Sequence, residues 1–142
     1  MAASRVLGWL LGPVGPVGDF GATMPHLPLV QSFVVEMGYS GLLAFVIMGV
    51  ATDERALPAV ASLAIRATVF AGALVTGPLT GGSFNPARSL GPAAASGIWT
   101  AHWLYWIAPI AGMVLGMHLY DLLRTDAHGA IPVEVVGTEG PL

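Results

Sequence analysis

Three runs of about twenty apolar residues constrain this chain more than any other feature of its sequence. They lie at positions 30–52, 58–77 and 102–123. A helix that crosses the ~30 Å hydrocarbon layer needs about 20 such residues, because each residue advances the helix by about 1.5 Å. Only 9% of the 142 residues are charged, whereas soluble domains have about 25%. The sequence therefore predicts an all-α integral membrane protein with three transmembrane helices.

Several functions are excluded by residue types that the chain lacks. It has no cysteine, so it can form neither disulfides nor thiolate metal sites. Its net charge of −3 and its lack of lysine leave no basic patch to bind nucleic acid. Neither a nucleophile paired with a base nor a cluster of metal ligands occurs along the sequence. We therefore expect no enzyme and no cofactor, and the first expected partner is the lipid bilayer.

The segment between the second and third runs is too apolar for an exposed loop and too broken for one helix. It contains GPLTGGSFNPARSLGP at positions 77–92. Asn85 followed by Pro86 is a helix-start signal, because asparagine caps free N–H groups and proline has no N–H to leave unpaired. Backbone at membrane depth must bond within the protein or line a water-filled cavity. We predict a re-entrant segment whose half-helix runs from Pro86 to about Ser96, with the positive end of its dipole at the bilayer centre.

The string SFNPARSLGPA resembles the second half of a member of the aquaporin, or major intrinsic protein, family. The preceding GPLTG and the following stretch, which ends in YWIAPIAG, extend the resemblance over about residues 19–123. In that family, two half-helices from inverted repeats meet at the centre of a six-span monomer, and four monomers form a tetramer with one pore each. The resemblance implies the second repeat of the aquaporin fold, with three transmembrane helices plus one re-entrant half-helix, and a passive channel.

The resemblance implies a role for each residue of the Asn-Pro-Ala-Arg string. Asn85 would donate from its side-chain amide to a passing solute oxygen, while Pro86 and Ala87 hold the start of the half-helix. Arg88 would stand in the outer constriction, with guanidinium donors and a positive charge that repels cations and hydronium. An isolated arginine in a membrane segment is more often structural or snorkelling, but its place in this string favours the pore role.

The resemblance also implies how the re-entrant loop is built. The backbone carbonyls of Gly81, Gly82, Ser83 and Phe84 would form a ladder of acceptors along the pore wall. Glu36, in the first run, matches a buried glutamate of the family that accepts bonds from N–H groups of this loop. A carboxylate inside a transmembrane helix is otherwise costly, and we predict that Glu36 is a structural brace rather than a proton carrier.

Two sets of residues indicate different permeating solutes. Ala73 stands where water-selective members carry histidine, and Gly82 stands where they often carry cysteine or phenylalanine. Both residues would widen the constriction and favour glycerol, urea, ammonia or metalloid hydroxides alongside water. Other positions resemble the water type, namely Ser89, Ala93, Tyr105 and Trp106. We predict water transport with leakage of small neutral solutes.

Arg66 departs from the family pattern, because it occupies a position in the second run that commonly holds glycine at a helix crossing. It lies ~12 Å along the helix from Pro58. A charge there costs at least about 2.5 kcal/mol on insertion scales. Seven residues separate Arg66 from Ala73, so the two share a helix face to within about 20°. Arg66 would narrow or plug a channel, or disrupt the helix crossing.

The sequence divides into three parts. Residues 1–29 are predicted to hold the end of a preceding helix and a connecting loop, residues 30–123 a half-pore domain, and residues 124–142 a flexible tail. Only one Asn-Pro-Ala occurs, so half of the expected pore wall is missing. The expected partner is therefore a separate first half, or a second copy in the opposite orientation, within a homo-oligomer that the resemblance implies is a tetramer.

Two function classes follow from this organisation. The first is a passive channel component for water and small uncharged solutes in a multi-pass protein of the plasma membrane. The second is a truncated, non-conducting membrane protein or an assembly partner of other channel subunits. The missing pore wall and Arg66 favour the second class, whereas the intact NPARS string and Glu36 favour the first.

Overall fold

The structure of the chain, a computed structural model, describes residues 6, 9–10, 21–52 and 56–124. All regular secondary structure in these ranges is helical, which confirms the predicted fold class. Most of the predicted N-terminal helix end, and the predicted tail apart from Arg124, fall outside the described residues. The elements are α1 (Leu29–Ile47), which continues as a π-helical turn (Met48–Thr52), α2 (Pro58–Thr80), α3 (Pro86–Ser96) and α4 (Leu104–Leu123).

Three of these helical segments are long and apolar enough to cross a membrane, as predicted. They are Leu29–Thr52, Ala59–Thr80 and Leu104–Leu123, with mean hydropathies of 1.8, 1.7 and 1.4. The second extends three residues beyond the predicted end at position 77. An interior proline removes one N–H and crowds the carbonyl four residues before it, yet α2 continues through Pro78. It ends at Gly81, whose φ of 84° gives a left-handed cap.

Helices α1 and α4 cross at glycines that permit close backbone contact. A Cβ on Gly112 would overlap the backbone carbonyl of Met37, and a Cβ on Gly116 would overlap that of Gly41. Small residues at such crossings let membrane helices pack by van der Waals contact, because lipid supplies no hydrophobic drive between them. The glycines of α4 therefore fix its position against α1.

Helix α1 also packs against α2, so it contacts both of the other membrane-spanning helices. The Tyr39 hydroxyl donates to the Thr68 carbonyl over 2.9 Å. The Tyr39 ring also fills the space beside Gly72, where an added Cβ would overlap it. The buried core lies between α1 and the start of α4, and its members are Leu104, Tyr105 and Ala108, with Phe33 and Met37 against them.

The short helix α3 occupies the residues predicted for the half-helix. Its 11 residues give a length of ~16 Å, about half of the hydrocarbon thickness. It begins at the Asn85 cap and ends at Gly97, whose φ is 77°. The segment before α1 packs on the same end of the bundle, since the His26 amide donates to the Leu79 carbonyl over 3.0 Å. The chain from Gly81 to Gly97 thus enters and leaves at the membrane side where α1 begins.

Candidate functional site

The carboxylate of Glu36 connects α1 to the re-entrant loop. It is fully buried. One oxygen accepts from the Thr80 hydroxyl at 2.6 Å and from the Ser83 amide at 3.0 Å. The other oxygen accepts from the Phe84 amide at 3.0 Å. These donors offset the desolvation of a charge that would otherwise be costly inside a bilayer.

Thr80 is a second connection, one that the sequence did not reveal. While its hydroxyl bonds Glu36, its carbonyl accepts from the Tyr105 hydroxyl of α4 over 2.7 Å. Tyr105 is fully buried. The last residue of α2 therefore joins α1, α4 and the loop that follows it. Its only sequence signal is its place directly before the two glycines.

A cluster of hydroxyl groups braces the far side of the loop. The Ser83 and Ser89 hydroxyl oxygens lie 2.6 Å apart, and the Ser83 hydroxyl also donates to the Asn85 carbonyl over 3.0 Å. The Thr23 hydroxyl donates to Ser89 over 2.8 Å. Ser89, which the sequence suggested as a solute determinant, is fully buried in this cluster. Thr23 comes from the connection before α1, and no sequence pattern pointed to it.

The loop backbone adopts conformations that favour glycine. Gly81, Gly82 and Phe84 have φ values of 84°, 57° and 54°. A Cβ on Gly82 would lie 3.1 Å from the Thr76 hydroxyl oxygen, against α2. A larger residue there would therefore press first on α2, and the widening of a channel by Gly82 stays a prediction. The positive φ of Phe84 places a strained, non-glycine residue directly before Asn85.

The side-chain oxygen of Asn85 caps α3, which leaves its side-chain NH₂ group available as a donor. Its side-chain oxygen accepts from the Ala87 amide over 2.9 Å, which orients the side-chain NH₂ group away from the helix start. The side chain is exposed, as is that of Ala87, while Pro86 is half-buried. Asparagine and proline thus start the half-helix as the sequence predicted.

Arg88 is exposed and extends along the loop. Its guanidinium donates to the Gly81 carbonyl over 3.0 Å. This bond uses one of its five donors and holds the charge on the side of Asn85 from which the loop enters. Gly81 is half-buried, whereas Gly82, Ser83 and Phe84 are buried. The proposed acceptor ladder of these four carbonyls stays a prediction, with one carbonyl already bonded to Arg88.

Ala73 and Arg66 lie on one face of α2. Both are exposed, and α2 is continuous through Arg66. Arg66, Ala73 and Thr80 follow one another at seven-residue intervals, so each is turned by only about 20° from the next. Because Thr80 contacts the loop brace, this face of α2 leads from the re-entrant loop toward the opposite membrane surface. Tyr39 of α1 contacts α2 at Thr68, and the effect of Arg66 on a helix crossing or on a channel stays a prediction.

Comparison with known proteins identifies relatives of this chain. The family model described as "Major intrinsic protein" matches residues 1–120. Aquaporin NIP1-1 of Zea mays is 47% identical over 105 residues, which are 74% of this chain and 37% of the maize protein. A probable NIP-type aquaporin of Nicotiana alata is 44% identical over 116 residues, or 82% of this chain and 43% of that protein. Nodulin-26 of Glycine max is 41% identical over 78% of this chain and 41% of its own length. The chain spans about two-fifths of the length of these curated relatives.

Proposed function

The chain belongs to the major intrinsic protein family, and we propose that it supplies one half of the wall of a passive channel for water and small uncharged solutes. It is an integral membrane protein with three membrane-spanning helices. Family membership and relatives that are named aquaporins support a transport channel rather than an enzyme. The arrangement around Asn85 supports the water path itself.

One observation carries this proposal: the start of α3 is exposed at Asn85 and is held by hydrogen bonds to the helix and to the loop before it. Asn85 has its oxygen bonded to the Ala87 amide, so its NH₂ group is the part that can bind a solute. Glu36 holds the preceding loop through Ser83 and Phe84. Exposed polar groups inside a membrane need water or protein beside them, because hydrocarbon cannot satisfy them.

Water would cross this surface by exchanging one hydrogen-bond partner for the next. A water oxygen accepts from the Asn85 amide, and the guanidinium of Arg88 offers further donors. The positive end of the α3 dipole, about half a charge, faces the same region as Arg88. Both disfavour cations and hydronium, so uncharged molecules are the substrates.

The small side chain at position 73 favours solutes somewhat larger than water. Ala73 presents only a methyl group on the exposed face of α2. We propose that water passes together with glycerol, urea, ammonia or metalloid hydroxides.

The opposite wall must come from elsewhere, since Asn85, Arg88 and Ala73 are all exposed. We propose a first-half segment of the same family as the partner, with a second, inverted copy as the competing arrangement. Assembly as a tetramer and residence in the plasma membrane complete the proposal.

A second candidate is a non-conducting membrane component, and Arg66 favours it. Arg66 is exposed on the face of α2 that also holds Ala73. A guanidinium there would obstruct a narrow path. The two candidates differ in a single measurable property, the permeability of a membrane that contains the protein.

Stopped-flow osmotic shrinkage of liposomes tests the proposal. Vesicles with the purified chain, reconstituted alone or together with a first-half segment of the same family, are mixed with an impermeant sugar, and then with glycerol as the osmolyte. We expect faster water efflux than in protein-free vesicles, and re-swelling in glycerol if the path is wide. The Asn85→Leu variant should lose the increase, while Leu74→Ala, at a position that is 63% exposed among apolar neighbours, should keep it. Efflux at the rate of bare lipid in both preparations, with insertion verified, favours the non-conducting candidate.

A further inference from the structure

We infer that Tyr39 is a positioning residue for the solute path, because its ring holds Phe84 in a left-handed backbone conformation and thereby directs Asn85. This inference rests on the proposed channel, in which Asn85 is the group that binds the solute. Phe84 is buried, so it acts through the residue that follows it and not by contact with a solute.

The backbone of Phe84 needs an outside hold. Its φ of 54° lies in the left-handed region, which residues with a side chain seldom adopt, because the Cβ comes too close to a carbonyl oxygen. Gly81 and Gly82 before it also have positive φ values, but glycine adopts them freely. Phe84 therefore keeps this conformation only while its surroundings stabilise it.

Helix α1 holds Phe84 at two places. The Glu36 carboxylate accepts from the Phe84 amide over 3.0 Å. The Tyr39 ring packs on the Phe84 ring, with the centroids 4.9 Å apart and the planes tilted by 34°, which is a favourable separation for an aromatic pair. Glu36 and Tyr39 are three positions apart, so they are neighbours on the surface of α1. One turn of α1 thus contacts both the backbone and the side chain of residue 84.

Contacts with α2 set the position of the Tyr39 ring. Its hydroxyl donates to the Thr68 carbonyl over 2.9 Å. A Cβ at position 72 would overlap the ring, so the ring occupies a space that is open because residue 72 is glycine. The ring that packs on Phe84 is therefore itself held between α1 and α2.

The conformation of Phe84 sets the direction of Asn85. The peptide group between the two residues turns with the backbone of Phe84, so a change of φ from positive to negative values redirects the start of α3. Asn85 is exposed and extended, with a φ of −155°. Its backbone amide makes a long bond of 3.4 Å to the Ser83 hydroxyl, which is a weak hold of its own. Tyr39 thus acts on Asn85 through Phe84.

Substitutions on both sides of the Tyr39 ring test this inference in the full chain. Tyr39→Leu removes the ring, whereas Tyr39→Phe keeps it. Gly72→Ala displaces the ring from the side of α2 and leaves Phe84 unaltered. Gly77→Ala is the matched control on the same helix, since a Cβ there meets nothing within 4 Å. Each variant is also combined with Phe84→Gly, because glycine adopts a positive φ without help from a ring.

Nuclear magnetic resonance reads the backbone of Phe84 directly. The chain has a single asparagine, so ¹³C-labelled phenylalanine together with ¹⁵N-labelled asparagine selects the Phe84–Asn85 peptide. The Cα and Cβ shifts of Phe84 distinguish a left-handed from an extended conformation. We expect left-handed shifts in the parent chain, Tyr39→Phe and Gly77→Ala. In Tyr39→Leu and Gly72→Ala the left-handed population should fall by about threefold to tenfold relative to the extended one, as for the loss of an aromatic pair.

Water efflux from liposomes is the functional readout, with the chain alone or together with a first-half segment. We expect Tyr39→Leu and Gly72→Ala to reduce the protein-dependent water permeability by about threefold to tenfold. Adding Phe84→Gly to either variant should restore the permeability to within about twofold of Phe84→Gly alone. A ring that merely fills space would give the opposite result, because Phe84→Gly removes still more packing.

The two readouts separate this inference from the proposed channel. Unchanged Phe84 shifts in Tyr39→Leu overturn the inference even if the parent chain conducts water. Altered shifts with unchanged permeability overturn the role of Tyr39 in the path and leave the channel standing. A parent chain that passes no water in either preparation overturns the channel and this role together, while its Phe84 shifts still decide whether Tyr39 holds the loop.

Discussion

Removing the Glu36 carboxylate should release the re-entrant loop. In Glu36→Ala, the amides of Ser83 and Phe84 lose the one acceptor that they have among the described residues, whereas the Thr80 hydroxyl keeps the Thr76 carbonyl at 3.3 Å. Each buried N–H left unpaired costs about 1–3 kcal/mol, or about 2–6 kcal/mol for two. Chains unfolded within a membrane recover part of such losses. We therefore expect a decrease of about 2–4 kcal/mol in the free energy of unfolding.

Two measurements check this expectation. Unfolding in detergent micelles by added denaturing detergent gives the change in stability, and hydrogen exchange locates it. The amides of Ser83 and Phe84 should exchange much faster in Glu36→Ala, because they lose their acceptor. The stability and the exchange rates of Glu36→Gln should lie between those of the parent protein and of Glu36→Ala. Its side-chain amide keeps one acceptor and places a donor against the second N–H.

Gln31→Ala is the matched control. Gln31 is exposed on the same helix, so its truncation should change stability by less than about 0.5 kcal/mol. The reasoning is refuted if Glu36→Ala unfolds like the parent protein and its two loop amides exchange at unchanged rates. Such a result would mean that other contacts hold the loop.

Three further predictions follow from the same contacts. Gly116→Ala should destabilise the protein by more than about 2 kcal/mol, because its Cβ overlaps a backbone carbonyl of α1. The Cβ of Gly38→Ala meets nothing within 4 Å, so this control should be unchanged or more stable by up to about 1 kcal/mol in the same unfolding assay. Tyr105→Phe loses the 2.7 Å hydrogen bond to the Thr80 carbonyl. Thermal unfolding should show a decrease of about 0.5–1.5 kcal/mol in the free energy of unfolding, and an unchanged transition would contradict the role of that bond. Arg88→Ala should raise cation leakage without lowering water efflux in liposomes. Unaltered leakage would mean that Arg88 does not contribute to the exclusion of cations.

The parts of the fold that depend on local pattern could be predicted from the sequence. Apolar runs of sufficient length located the three membrane-spanning helices, and the Asn85–Pro86 pair located the start of α3. Capping and helix length are local properties, so the residues themselves encode them. The second apolar run was predicted to end at position 77, whereas α2 continues to Thr80 with Pro78 inside it.

The connections between distant segments could not be predicted in the same way. Thr80 bonds both Glu36 and Tyr105, and Thr23 bonds Ser89 across 66 positions of sequence. Threonine and serine are common in membrane helices and mostly bond their own backbone. Nothing in their local pattern distinguishes one that reaches across the bundle. Glu36 was identifiable because a buried carboxylate requires hydrogen-bond partners. Burying a hydroxyl without a partner costs much less, so its partners are harder to anticipate.

The temperature dependence of water efflux tests the central claim most directly, which is that water crosses along the polar surface at Asn85 and not through lipid. Liposomes that contain the chain, alone or with a first-half segment of the same family, are compared with protein-free liposomes by osmotic shrinkage over a range of temperatures. Entry into hydrocarbon strips water of its hydrogen bonds, whereas a polar path replaces them one by one. We predict a markedly smaller activation energy with the chain present, lost in Asn85→Leu. An activation energy equal to that of the protein-free bilayer would contradict the account.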